Sequence, residues 1–209
     1  KLYLYLLNKK VFFKYIEPSN NLMKKKIVIF ISGGGSNALN IINKFKNSNE
    51  ILVSNVYSNN KNSPFFEAPI DSKTKVSLFS NDDLSSKVFK ELKVLKPDLI
   101  VLAGFLKKIP IDYINYFKNK IINIHPSILP SYGGKGMYGS KIHNKVIENN
   151  ERETGVTIHF VSDKYDSGEI IFQKKISIEA DDTAISIEEK IHILEYEYYP
   201  KVIQSLLIK

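Results

Sequence analysis

The run Lys26-Ile27-Val28-Ile29-Phe30-Ile31, followed at once by Ser32-Gly33-Gly34-Gly35-Ser36-Asn37, constrains the fold more than any other part of the chain. An unbroken apolar run of this length suits a strand covered on both faces, as in a parallel sheet flanked by helices. Beyond the glycines, Leu39, Ile41, Ile42 and Phe45 carry helical spacing, so the segment reads as strand, tight turn and helix. The pattern then recurs. Residues 51–57 read as a second strand and residues 76–79 as a short third one. Leu84, Val88, Leu92 and Leu95 predict a helix over residues 82–96, closed by Pro97. Residues 99–103 form another buried run before Gly104-Phe105, and residues 121–124 run into His125. Residues 156–161 and 170–176 alternate well enough for two further, antiparallel strands. A last helix begins near Ala184, passes through Ile187, Ile191 and Leu194, and is expected to bend or restart at Pro200.

This alternation predicts an α/β fold: a Rossmann-like, mostly parallel sheet with helices on both faces and an antiparallel C-terminal extension. At 209 residues the chain suits one domain, placed at residues 23–209. Residues 1–22 read as an N-terminal extension outside it, with Met23 as a natural start and Glu17-Pro18-Ser19-Asn20-Asn21 as a linker. The apolar opening, residues 1–7, is too short to span a membrane and lacks the small-residue cleavage site of a signal peptide.

Composition narrows the function classes. With 43% hydrophobic and 25% charged residues the chain sits among globular proteins rather than disordered ones. The absence of cysteine removes disulfides, thiolate nucleophiles and cysteine-based zinc sites, and fits a reducing compartment, so the cytoplasm is expected. The net charge of +8 invites a nucleic-acid reading, but it comes almost wholly from scattered lysines, with Arg152 the only arginine. No nucleic acid and no membrane partner is expected; an anionic small molecule would gain from such a field.

In open sheets of this kind ligands bind beyond the carboxyl ends of the strands, where the Gly33 turn, the Gly104 turn and the His125 segment should converge. Backbone N–H groups and the helix dipole make the Gly33–Asn37 turn a place for an anion, with Ser36 and Asn37 as added donors. The spacing Gly33-x-Gly35-x-x-Ala38 also matches a dinucleotide fingerprint, but that pattern needs an acid at the end of the second strand and Tyr57-Ser58-Asn59-Asn60 supplies none. Gly133-Gly134-Lys135-Gly136 lacks the spacing of a nucleotide-triphosphate loop. Asn123 and His125, two residues apart in an extended segment, project from one face. A carboxylate brought to His125, as from the later Asp163-Lys164-Tyr165-Asp166-Ser167-Gly168, would favour its protonated form. No paired ligand spacing recommends a metal there. His143 and His192 occupy helical or loop positions, where a single histidine is as a rule structural or exposed.

From Met23 onward the chain resembles the phosphoribosylglycinamide formyltransferases. The resemblance rests on Ile31-Ser32-Gly33-Gly34-Gly35-Ser36-Asn37, Val101-Leu102-Ala103-Gly104-Phe105, Asn123-Ile124-His125-Pro126-Ser127-Ile128-Leu129-Pro130, Gly155-Val156-Thr157-Ile158-His159-Phe160-Val161 and residues 163–168. It implies transfer of the formyl group of 10-formyltetrahydrofolate, as cosubstrate, to the amine of glycinamide ribonucleotide, in purine (IMP) biosynthesis and without a metal. It further implies Asn123 and His125 as oxyanion donors and Asp166 as proton relay. Gly35, Ser36 and Asn37 would hold the phosphate and Glu195 a ribose hydroxyl. The folate would lie against Leu106, Lys107, Lys108 and Ile109 and against Ser162, Asp163, Lys164, Tyr165 and Asp166, with Asn123 between them and His159 supporting from behind. A monomer or homodimer is expected.

Two departures from the family pattern stand out. Asn81 occupies a place where the family commonly has a substrate-holding arginine, and the glycine-rich loop 131–140 lacks the family's paired histidines and reads as a mobile lid. Formyltetrahydrofolate deformylase, another folate-dependent formyltransferase, and a non-catalytic phosphate or folate binder are the rival readings.

Overall fold

The computed structural model describes residues 3–7, 10–14 and 23–208. Strands β1 (Tyr3–Leu7) and β2 (Lys10–Lys14) pair antiparallel as a separate two-stranded sheet, which the sequence reading did not anticipate. The linker expected at residues 17–21 lies outside the described residues.

The apolar run becomes β3 (Lys25–Ile31), third in a seven-stranded sheet of order β5-β4-β3-β6-β7-β8-β9. The other members are β4 (Ile51–Ser58), β5 (Lys75–Leu78), β6 (Leu99–Leu102), β7 (Ile121–His125), β8 (Glu153–Phe160) and β9 (Ile170–Ser177). All pairings from β5 across to β7 are parallel, whereas β7–β8 and β8–β9 are antiparallel. The expected architecture is therefore borne out. Its cause is visible in β3, where period-two alternation sends Ile27, Ile29 and Ile31 into one core and Val28 and Phe30 into the other. Burying each such side chain contributes about 1.5–3 kcal/mol relative to leaving it exposed. The first core is closed by α1 (Ser36–Phe45) and the end of α5 (Ala184–Leu207), the second by α2 (Phe89–Leu95) and α3 (Ile111–Tyr116). A third apolar group joins α4 (Ser140–Glu148) to α5 and β8 through Ile142, Val146, Val156, Ile187 and Ile191.

Two local expectations need correction. The helix expected over residues 82–96 is two elements, because a π turn at Leu84–Val88 precedes α2. There the Val88 N–H donates to Asp83 O at 3.0 Å, while Asp83 is held by Ser80. Helix α5 runs through Pro200 without restarting. Proline cannot donate to the carbonyl four residues back, and Asn40 Nδ2 donates to that Tyr196 carbonyl instead, at 2.9 Å. The short helices α3 and α4 had no counterpart in the sequence reading.

From β3 the chain steps outward through β4 to β5, then crosses back to the other side of β3 for β6 and β7. A crevice opens at such a switch point, beyond the carboxyl ends of β3 and β6. Ser32 stitches its two banks together: its N–H donates to Gly104 O at 3.0 Å and its Oγ accepts from Leu106 N at 3.0 Å.

Candidate active site

At one end of the crevice, the alternation of β7 turns Asn123 and His125 to the same face, and pairing with β8 sets Asn123 opposite His159. Asp166 approaches from the β8–β9 loop with φ of +50°, a left-handed conformation that aspartate tolerates better than most residues. The loop can press so close because residue 168 is glycine; a Cβ there would sit 1.7 Å from the Phe160 carbonyl oxygen. His125 Nδ1 lies 3.6 Å from Asp166 Oδ1, and Asn123 Nδ2 lies 3.5 Å from the same oxygen. Asp166 Oδ2 accepts from Gly134 N at 2.9 Å. These three predicted residues thus meet; His125 is buried, while Asn123 and Asp166 are partly exposed to the crevice.

The backbone fixes which ring nitrogens carry protons. A carbonyl oxygen can only accept, so His125 Nε2, 2.8 Å from Tyr132 O, must be the donor. That leaves His125 Nδ1 facing Asp166 and Asn123. By the same logic His159 Nδ1 donates to Phe160 O at 2.8 Å, and its Nε2 lone pair accepts from Asn123 Nδ2 at 3.2 Å. Burial holds the His159 imidazole below its usual range, in keeping with that neutral, accepting role.

At the other end, Gly35 caps α1 with φ of +75° and no side-chain hydrogen bond, so the first-turn N–H groups open on the crevice. A Cβ on Gly35 would lie 2.5 Å from the buried Phe65 ring, so any side chain there must displace the ring. The first turn carries no acidic residue. Asn37 Nδ2 donates to Glu195 Oε2 at 2.9 Å, joining α1 to α5, while Asn37 Oδ1 is buried without a partner. Glu195 is only 6% exposed, unlike the usual solvated helix glutamate. Burial pushes its carboxyl up to about 7 despite the opposing hydrogen bond from Asn37.

Both ends line one cleft of about 380 Å³. A smaller cavity of about 50 Å³ adjoins it and shares Phe105, Asn123, Tyr165 and Asp166. Of the residues expected to face a folate, Lys107, Lys108, Ile109, Ser162 and Lys164 line this smaller cavity, Leu106 lines the larger cleft, and Asp163 lines neither. Asn81 also lies outside both linings, where its Oδ1 accepts from Asn59 Nδ2 at 3.1 Å.

A family model described as formyl transferase matches residues 25–203, a span containing every residue placed above in the cleft. The chain belongs to the formyl transferase family. It is 36% identical to the chloroplastic phosphoribosylglycinamide formyltransferase of Vigna unguiculata over 195 residues, covering 88% of this chain and 61% of that protein. The chain therefore spans less than two thirds of that relative's length. Against the phosphoribosylglycinamide formyltransferase of Bacillus subtilis (strain 168) it is 33% identical, covering 88% of this chain and 95% of the relative. The crystal structure of phosphoribosylglycinamide formyltransferase from Bacillus halodurans superposes with a TM-score of 0.78 at 31% identity, over 88% of this chain and 96% of that one. These relatives place it in the phosphoribosylglycinamide formyltransferase branch.

The cleft of this formyl transferase also contains His143 of α4 and His192 of α5, both expected to be merely structural or exposed, and Glu188 of α5, which the sequence reading did not single out. Glu188, His192 and Glu195 fall at i, i+4 and i+7, so helical spacing could have grouped them onto one face. Nothing local marks His143. Its ring is buried, Nδ1 has no partner, and burial lowers its basicity.

Proposed function

We propose that the protein transfers the formyl group of 10-formyltetrahydrofolate to the amine of glycinamide ribonucleotide, yielding formylglycinamide ribonucleotide and tetrahydrofolate in purine (IMP) biosynthesis. The observation that carries this reading is the meeting of Asn123, His125 and Asp166 between an uncapped helix N-terminus and a lysine-rimmed cavity.

In this reading the phosphate of the acceptor sits on the N–H groups of Gly35, Ser36 and Asn37, where the α1 dipole favours an anion. A ribose hydroxyl meets Glu195, whose carboxyl titrates at about 7 and so can either donate or accept. The donor enters from the smaller cavity, between residues 106–109 and 162–166. The amine nitrogen attacks the formyl carbon, forming a C–N bond while the carbonyl electron pair moves onto oxygen. Asn123 Nδ2 and protonated His125 Nδ1 stabilise that oxyanion, a contribution of about 3–4 kcal/mol per donor. Asp166 takes the proton released by the attacking amine and returns it to the folate nitrogen as the old C–N bond breaks. His159 orients Asn123 by accepting its second amide hydrogen.

Two accompanying expectations belong to the same proposal. Residues 23–209 carry the activity, so deleting residues 1–22 leaves turnover unchanged. The site of action is the cytoplasm; among the described residues no helix is long and apolar enough to cross a membrane. The reaction itself is tested by incubating the protein with 10-formyltetrahydrofolate, with and without glycinamide ribonucleotide, and following tetrahydrofolate. Release that requires the amine supports formyl transfer. Release without it indicates a deformylase, and no release with both substrates overturns the proposal.

A further inference from the structure

The imidazole of His125 can carry its single neutral-state proton on either nitrogen, and only one choice leaves the Nδ1 lone pair facing Asp166, 3.6 Å away. That choice is made by one backbone carbonyl, that of Tyr132. Tyr132 lies in a loop with glycine at 133, 134, 136 and 139, so the segment has little intrinsic stiffness. Its own backbone adopts φ of +58°, a left-handed conformation that a bulky L residue holds only where surrounding contacts impose it.

The ring packs against the third apolar group, and the hydroxyl adds two hydrogen bonds that fix it further. Tyr132 Oη donates to Glu151 Oε1 at 2.6 Å and accepts from Asn149 Nδ2 at 2.7 Å, which uses the hydroxyl in both of its capacities. Asn149 caps the C-terminus of α4 and Glu151 lies in the turn leading to β8, so these two exposed bonds tie the phenol to a corner outside the loop. Next to it, Ser127 Oγ donates to Ser131 O at 2.7 Å, and Gly134 N holds the far oxygen of Asp166. The carbonyl of Tyr132 is thereby fixed on His125 from one side while the following turn fixes Asp166 from the other.

We propose that Tyr132 is a positioning residue for His125: its phenol, held by Glu151 and Asn149, keeps its carbonyl on Nε2 and so directs Nδ1 towards Asp166 and the reacting carbon. The consequence for turnover rests on the formyl-transfer reading; the consequence for the imidazole does not. Were the anchor lost, the ring would lose the acceptor that fixes its orientation and its neutral-state tautomer, and the fraction of molecules with Nδ1 directed at Asp166 would fall.

The test is nitrogen-15 NMR of the histidine rings across a pH series, with His125 assigned by comparison with His125→Asn. In the wild-type protein Nε2 should keep its protonated-type shift throughout, while Nδ1 alone moves with pH. Tyr132→Phe retains the ring but removes both phenol hydrogen bonds. It should make both His125 nitrogens titrate, and lower kcat about ten- to a hundredfold while KM for either substrate stays within about twofold. Glu151→Ala and Asn149→Ala should shift the imidazole in the same direction to a smaller extent, and they decide the matter if Tyr132→Phe does not fold. A wild-type His125 protonated on Nδ1 alone overturns the proposal. So does a His125 titration that all the variants leave unaltered, or a loss that falls on KM alone. Should the wild-type protein release no tetrahydrofolate, the formyl-transfer reading fails, while the NMR series still decides the anchor.

Discussion

The two ends of the cleft are built by different means. At the Asp166 end the chemistry lies in side chains, and they stand slightly apart: Asp166 Oδ1 is 3.6 Å from His125 Nδ1 and 3.5 Å from Asn123 Nδ2. Such gaps can tighten around a reacting group that bridges them. At the Gly35 end the groups that open on the cleft are backbone N–H donors, positioned by a left-handed glycine packed against Phe65, while the nearby side chains Asn37 and Glu195 already bond each other at 2.9 Å. One end is organised around side chains that exchange a proton; at the other the N–H donors carry a fixed partial charge, beside a carboxyl, Glu195, that burial brings near neutrality. Substitutions should accordingly strike turnover at the first and binding or folding at the second.

The largest expected effect lies at the Asp166 end. Asp166→Asn keeps a residue that tolerates positive φ but cannot take the proton, and His125→Ala removes a donor. Each should lower turnover about a hundred- to ten-thousandfold, with thermal melting showing the fold intact. Near-normal turnover in either variant would erase the contrast between the ends.

Gly35→Ala comes next and should behave differently. The new methyl must displace the Phe65 ring and hold φ of +75°, so stability should drop by about 1–3 kcal/mol in urea titrations. What folds should show a raised KM for the phosphorylated substrate.

Glu195 gives a comparable effect, read through pH. Its folded carboxyl titrates at about 7 against 4.5 for an ordinary glutamate. The protonated form is thus favoured by folding, and this stability is complete below pH 4.5 and lost as pH rises through 7. Glu195→Gln should therefore gain on the wild type by about 3 kcal/mol between those limits, in denaturant titrations at a series of pH values. A difference that stays flat with pH would mean that the carboxyl is solvated after all.

The smallest effect is reserved for Asn81. Its exposed side chain bonds only the half-buried Asn59 and lines neither cavity, so Asn81→Ala should change stability by less than about 0.5 kcal/mol and turnover by less than about twofold. A large loss would extend the phosphate end beyond the cleft described.

How much of this was legible beforehand follows the same division. The Gly33 turn, the strand before it, and Asn123 with His125 were readable because each lies within a few residues and obeys a local period. The π turn before α2 was not, since it depends on the Ser80–Asp83 hydrogen bonds rather than on apolar spacing. Pro200 was misjudged because its compensating donor, Asn40, sits on another helix. His143 stayed hidden for a related reason: nothing beside it in the chain says that α4 closes the cleft.

By itself the sequence determined the sheet, the crevice at its switch point and the residue types that could do chemistry there, because apolar periodicity and glycine geometry are properties of short segments. Only the tertiary structure decided that Glu195 would be buried against Asn37, 158 residues away, and shifted towards neutrality. It alone also decided which nitrogen of His125 faces Asp166. Both outcomes depend on desolvation and on hydrogen-bond partners brought from distant parts of the chain, and neither leaves a local pattern to read.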